Sequence, residues 1–231
     1  MSTEAISSLQ ARIDELEKLS WCPDRSDGNC AVAVTPEARR ARRHVQNSQC
    51  YSSRWVWCPP NYYELGLEER KKILGAHSIS QLCKACLFEN KNYVPNETND
   101  SGLVDNTNSK YYLVVVQYVE SINTNKLASE LRGLRPPGST RMDPKYFSDL
   151  RLAPEEVSEQ LTGYGHNGVS PFGMLDTSIP VVVCKSILSV KPKFIWMGGG
   201  HKDLKLGVAV SEFVKAVNGI VLDVSEPRTF D

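Results

Sequence analysis

Leu161–Met174, LTGYGHNGVSPFGM, places Gly163, Gly165, Gly168, Gly173 and Pro171 within fourteen residues and carries one candidate charge, His166. A solvated linker would be richer in charge and poorer in residues such as Tyr164, Val169, Phe172 and Met174. Glycine admits positive φ and close approach of another backbone, while proline fixes φ and removes a donor. The stretch therefore reads as a shaped loop. Two roles remain open to it: a binding loop whose N–H groups converge on a ligand oxygen, or a plain tight connection.

The flanking sequence embeds this loop in alternating strands and helices. On its C-terminal side Pro180–Cys184, Phe194–Met197, Leu206–Val210 and Ile220–Val224 read as strands, and Ser211–Val217 as a helix. On its N-terminal side Asp143-Pro144 and Pro154-Glu155-Glu156 each start a short helix. Lys126–Leu134 is a longer one, ended by Gly138 after Pro136-Pro137. Tyr111–Val119 is the clearest strand, and its continuous apolar run Leu113–Val116 predicts burial on both faces. Residues 91–110 are a polar loop. Leu67–Leu74 and Ser78–Phe88 read as two helices, the second capped by Ser78 or Ser80, and Arg54–Trp57 as a short strand stopped by Pro59-Pro60. The order lacks a regular βαβ rhythm, which favours an α+β fold with a mixed sheet and helices on its faces over a doubly wound one.

Residues 4–19 repeat Ile6, Leu9, Ile13 and Leu16 at three- and four-residue steps, a helix that either docks on its own domain or self-associates with a partner helix. Thr35-Pro36-Glu37 starts a second helix, with Thr35 as N-cap. This helix carries Arg39, Arg40, Arg42 and Arg43, the one dense basic cluster of the chain. The cluster reads as a solvated helix face or as a set of phosphate contacts. We therefore expect residues 1–60 to form a helical, basic extension and residues 61–231 the main domain.

Composition narrows the function classes. With 231 residues and 41% apolar side chains the chain supports one large core. Its formal net charge is zero, so nucleic acid can be met only by a local patch. No apolar run reaches membrane-span length, and the N-terminus lacks the apolar core of a signal peptide. Seven cysteines, an odd number, in a chain too large to need disulfide staples point to a reducing, intracellular setting and a cytoplasmic location.

Several constellations have the residue types for chemistry. Cys83-Lys84-Ala85-Cys86 has CxxC spacing, but with Ile79, Leu82 and Leu87 the two cysteines fall on one helical stripe and read as core. Cys22 with Cys30 and Cys50 with Cys58 are spaced too widely for a structural zinc, and no HExxH pair exists, so neither a metal nor another cofactor is expected. Gly198-Gly199-Gly200-His201 after an apolar strand is either a tight turn or a second set of backbone donors. No GxSxG elbow or Ser-His-Asp set is legible.

Thr162-Gly163-Tyr164 followed by Gly168-Val169-Ser170-Pro171-Phe172-Gly173 resembles the signature of the YbaK-type, prolyl-tRNA synthetase-associated editing domains, which are aminoacyl-tRNA deacylases. Lys84 is similar to the family lysine that lines the pocket before the first long strand. Tyr111–Val119 with Asn125-Lys126-Leu127-Ala128, then Gly198–Gly200, then Leu206–Val217, follow in the family's order over about residues 65–225. Asn167 stands where the family loop often has glycine.

The resemblance implies a curved mixed sheet flanked by helices and a free-standing enzyme that hydrolyses the ester of mischarged tRNA in trans. Lys84 and the backbone N–H groups of Asn167, Gly168 and Val169 would serve catalysis. Tyr164, Ser170, Pro171, Gly198, Gly199, Gly200 and His201 would line the substrate site. Arg39, Arg40, Arg42 and Arg43 would contact the tRNA backbone. Aminoacyl-tRNA synthetases are further expected partners. A degenerate editing domain that binds tRNA or a synthetase without hydrolysis is the competing reading.

Overall fold

Residues 3–21, 34–95, 105–135 and 143–228 are described by the computed structural model. The first helix, α1 (Thr3–Trp21), turns its apolar stripe outward: Ile6, Leu9, Ile13 and Leu16 are 48–60% exposed. The stripe is therefore not docked on the body of the protein.

The second helix, α2 (Pro36–Asn47), begins as its sequence dictates. Thr35 Oγ1 accepts from the Ala38 N–H, and Pro36 occupies the first turn, where its missing N–H costs nothing. Ala38, Ala41 and Val45, spaced three and four apart, are buried; the two alanines let the helix approach the sheet below it closely. Next come β1 (Arg54–Trp57), a 3-10 turn over Tyr62–Glu64 and helix α3 (Leu67–Leu74). Both α2 and β1 contribute to the same core as the rest of the chain, so residues 35–60 pack against the domain expected over residues 61–231.

The segment expected as a helix over Ser78–Phe88 is one helical turn followed by a strand. Ser78 Oγ accepts from the Ser80 N–H at 3.1 Å and Gln81 Oε1 from the His77 N–H at 2.6 Å, but this box closes a single 3-10 turn, Ile79–Gln81. From Cys83 the chain runs as β2 (Cys83–Asn90), antiparallel to β3 (Tyr111–Gln117), with Cys83 opposite Gln117 and Glu89 opposite Tyr111. The apolar residues of this stretch satisfy helical spacing, yet a short apolar run does not fix its own period. Seven residues of pairing to the most buried strand decide it. Strand alternation places Cys83 and Cys86 on opposite faces and Lys84 and Cys86 on the same one.

The remaining elements are β4 (Glu120–Ile122), α4 (Thr124–Gly133), β5 (Leu150–Leu152), α5 (Glu155–Thr162), β6 (Val181–Cys184), β7 (Phe194–His201), β8 (Leu204–Ala209), α6 (Val210–Ala216), β9 (Ile220–Leu222) and β10 (Ser225–Pro227). The strands form two main sheets flanked by helices, the mixed α/β class expected from the sequence. A mixed five-stranded sheet has the order β5-β2-β3-β6-β9, antiparallel through β3 and parallel from β3 to β9. A three-stranded antiparallel sheet has the order β1-β8-β7, and β4 and β10 form a separate ribbon. Leu113–Val116 at the centre of β3 have no exposed surface, as the continuous apolar run requires. The helix end near Gly138, and part of the polar loop at 91–110, lie outside the described residues.

Candidate active site

The glycine loop is held by α2. Its entry and exit, Gly163 and Gly173, both have left-handed φ, and their carbonyls accept from the Arg40 guanidinium: Nη2 to Gly163 O at 2.6 Å and Nε to Gly173 O at 2.5 Å. The guanidinium also lies 4.7 Å from the Tyr164 ring centroid. One turn further along α2, His44 Nδ1 accepts from the Gly173 N–H at 2.7 Å, and burial lowers the pKa of this imidazole. The Tyr164 hydroxyl donates to the Phe172 and Gly173 carbonyls, and burial pushes its pKa up to about 12. Ser170 Oγ accepts from the Phe172 N–H in a fully buried turn. Arg40, His44, Tyr164 and Ser170 thus fix the shape of the loop from behind.

The tip of the loop, Gly165–Val169, faces a cavity of about 370 Å³. Lys84, on β2, lies across from it. Tyr62 and Tyr63 from the 3-10 turn and Tyr118 after β3 line one wall, and Gly198 and Lys205 from the three-stranded sheet contribute to the rest. Leu74, Leu82, Trp196 and Met197 supply apolar surface, while His166, 3.5 Å from Glu155 Oε1, stands at the exposed side. The structure therefore brings together five of the expected groups on the cavity wall, Lys84, Tyr164, Asn167, Val169 and Gly198. Lys84 Nζ lies 5.8 Å from the Tyr118 ring centroid and forms no ion pair with a carboxylate among the described residues.

Three expectations about this loop need correction. The Gly168 N–H donates to Gly165 O at 3.0 Å, and Gly168 O accepts from Gly200, so Gly168 shapes the tip and has no donor to offer. The N–H groups of Asn167 and Val169 have no hydrogen-bond partner among the described residues and remain as donors. Ser170 and Pro171 are buried in the turn, not in the cavity wall.

The triple glycine is not a turn that presents donors. It is the last part of β7, and its first residue lets the loop rest against the strand: a Cβ on Gly198 would stand 2.3 Å from Val169 O. Gly199, Gly200 and His201 lie outside the cavity wall. His201 packs 5.4 Å from Trp57, and burial lowers its pKa. Of the four arginines, Arg40 is committed to the loop through its bonds to the Gly163 and Gly173 carbonyls. Arg39 and Arg42 engage other groups of the chain, and Arg43 is exposed.

Lys205 is the site residue that sequence reasoning missed. It sits in β8 between buried Leu204 and Leu206, is 4% exposed, and lies 5.0 and 4.7 Å from the ring centroids of Tyr62 and Tyr63. Burial lowers its pKa from 10.5 to about 8, opposed by nearby Cys58 and Asp203. Between about pH 8 and 10.5 the unfolded chain therefore binds the proton that the folded chain has shed, and stability rises with pH across that window. The wild-type protein should accordingly gain stability relative to Lys205→Met, by up to about 3 kcal/mol, as pH is raised from 8 to 10. Parallel urea titrations at the two pH values check this, and an unchanged difference between the two proteins would refute the buried charge.

A concave, partly apolar cavity with two lysines and unpartnered backbone donors on its loop defines a class of protein, one that binds a small ligand carrying polar groups. Among the described residues no group of three or more His, Cys, Asp or Glu side chains is placed to hold a metal ion. The sequence model of the aminoacyl-tRNA editing domain matches residues 75–216, more than half of the chain, and the chain belongs to that family, whose general chemistry is deacylation.

Solved structures share the fold. A candidate trans-editing enzyme for prolyl tRNA synthetase is 20% identical with a TM-score of 0.61, over 83% of this chain and 98% of that one. The hypothetical protein APE2540 is 24% identical with a TM-score of 0.57, over 81% and 99%. A structure from epitope grafting onto scaffold proteins is 18% identical with a TM-score of 0.60, over 84% and 99%. No curated protein matches the chain in sequence.

Proposed function

We propose that this cavity hydrolyses the ester of mischarged aminoacyl-tRNA in trans, as a free-standing proofreading deacylase of the cytoplasm. The observation that carries the reading is the placement of Lys84 with Asn167 and Val169, whose N–H groups are free, around one small cavity inside an editing-domain fold. An aminoacyl ester is already activated, so the site has only to orient water or a substrate hydroxyl and stabilise the tetrahedral oxyanion. The N–H groups of Asn167 and Val169 receive that charge, and Lys84 holds a phosphate or the ribose end as a point charge. A volume of about 370 Å³ admits an aminoacyl group and part of the terminal nucleoside, while the tRNA body stays outside.

The test is a panel of tRNAs mischarged with alanine, cysteine or serine, each assayed for loss of the amino acid. Accelerated loss of at least one ester is expected, and Lys84→Ala lowers that rate by about tenfold or more, equivalent to roughly 1.4 kcal/mol. Full activity in Lys84→Ala removes the lysine from the mechanism. Binding without hydrolysis of any ester identifies a binding module instead. The outward stripe of α1, with isoleucine at 6 and 13 and leucine at 9 and 16, has the spacing of a two-stranded seam and supports self-association or a synthetase helix as partner. A mass independent of concentration and of Ile13→Glu counts against self-association.

A further inference from the structure

We infer that Tyr63 is a positioning residue for the deacylation proposed above, latching the catalytic loop and joining it to Lys84 across the cavity. Its hydroxyl donates to the Asn167 carbonyl at 2.8 Å, and Asn167 is held in the left-handed region at φ +62°. Asparagine is among the few non-glycine residues that adopt this conformation at a single position. The hydrogen bond fixes the Asn167–Gly168 peptide plane, which lies between the two planes that carry the free Asn167 and Val169 N–H groups.

The latch is itself rigidly mounted. Arg70 Nη2 donates to the Tyr63 carbonyl at 2.6 Å and Arg70 Nε to Leu65 O at 2.9 Å. The Tyr63 ring is held between two cations, Lys205 at 4.7 Å and Arg70 at 5.2 Å from its centroid. Burial raises the pKa of its hydroxyl far above the usual range, so the group remains a donor throughout the working pH range. Tyr118 and Tyr63 interact electrostatically, both lining the cavity, and Lys84 Nζ stands 5.8 Å from the Tyr118 ring centroid. A continuous path of contacts therefore runs from Lys84 through Tyr118 and Tyr63 to Asn167. Tyr63 and Arg70 both precede residue 75, where the match to the editing domain begins, so the latch is supplied by a segment outside the matched core.

This inference rests on the deacylase reading, and the experiment separates the two. Tyr63→Phe keeps the ring between its cations and removes only the hydroxyl. With the ester that the wild-type protein hydrolyses best, kcat should fall about tenfold while KM changes less than about twofold, because the loop loses alignment and the cavity keeps its shape. Amide hydrogen exchange supplies a readout independent of activity: exchange in residues 165–169, carried by the Gly168 amide that donates to Gly165 O, rises while that of β3 is unchanged. A wild-type protein that hydrolyses no ester defeats the deacylase reading, and the exchange measurement still decides the latch. Unaltered exchange at 165–169, or an unaltered kcat in an active enzyme, overturns the positioning role.

Discussion

Replacing Gly198 by alanine lowers kcat/KM for deacylation by about a hundredfold or more while the protein still folds. The added Cβ stands 2.3 Å from Val169 O, 3.1 Å from Val169 C and 3.3 Å from Gly168 O. All three are backbone atoms, so no rotamer change relieves the contact. Gly198 is paired with Lys205 across β7 and β8, which holds the strand in place, and the loop must give way. A loop shift on the order of 1 Å moves the Asn167 and Val169 donors off the oxyanion, a displacement that costs roughly a hundredfold in a positioned site. The overpacking itself costs about 1–3 kcal/mol of stability, small enough to leave a folded protein. Single-turnover deacylation measured beside a thermal melt checks both parts. Activity within threefold of wild type would sink the proposed role of the loop tip.

Arg40→Ala acts on stability first. It removes two charge-assisted hydrogen bonds to the Gly163 and Gly173 carbonyls and the stack on Tyr164. Both carbonyls then face a cavity where the guanidinium lay. The loss is about 2–4 kcal/mol, which lowers Tm by about 5–15 °C in a chain of this size. Arg40→Lys recovers little, because one ammonium does not span two carbonyls as a guanidinium fork does. Differential scanning calorimetry reads the effect. If Tm is unchanged and only the salt dependence of tRNA binding falls, Arg40 is a phosphate contact after all, as its place in the basic cluster first suggested.

The parts of this molecule that were legible in sequence are those whose signal is local. Leu113–Val116 announce a strand buried on both faces, Thr35-Pro36 a helix start, and the glycines of 161–174 a shaped loop. Cys83–Asn90 was misread because its apolar residues satisfy a helical period, and only pairing with a strand some thirty residues later makes it β. The short strands β4, β5 and β10, three residues each, went unread for the same reason.

The candidate site divides in the same way. Lys84, Asn167, Val169 and Gly198 lie in recognisable motifs, but Tyr63 and Lys205 do not. A lysine between two buried leucines in a strand was the one available clue to Lys205, and the strand was begun one residue too late to use it. Arg40 carries the opposite lesson. Four arginines in a row of five residues look alike in sequence, and only the packing of α2 turns one of them inward.

The partners of α2 and β1 lie far along the chain: Arg40 waits for Gly163 and Gly173, and Arg54–Trp57 for Leu204–Gly207. Such closures carry a large loop entropy and slow folding. During synthesis the first part of the domain must therefore leave the ribosome without its partners, and the pocket is assembled only when β7 and β8 arrive. An incomplete nascent chain carries no finished site.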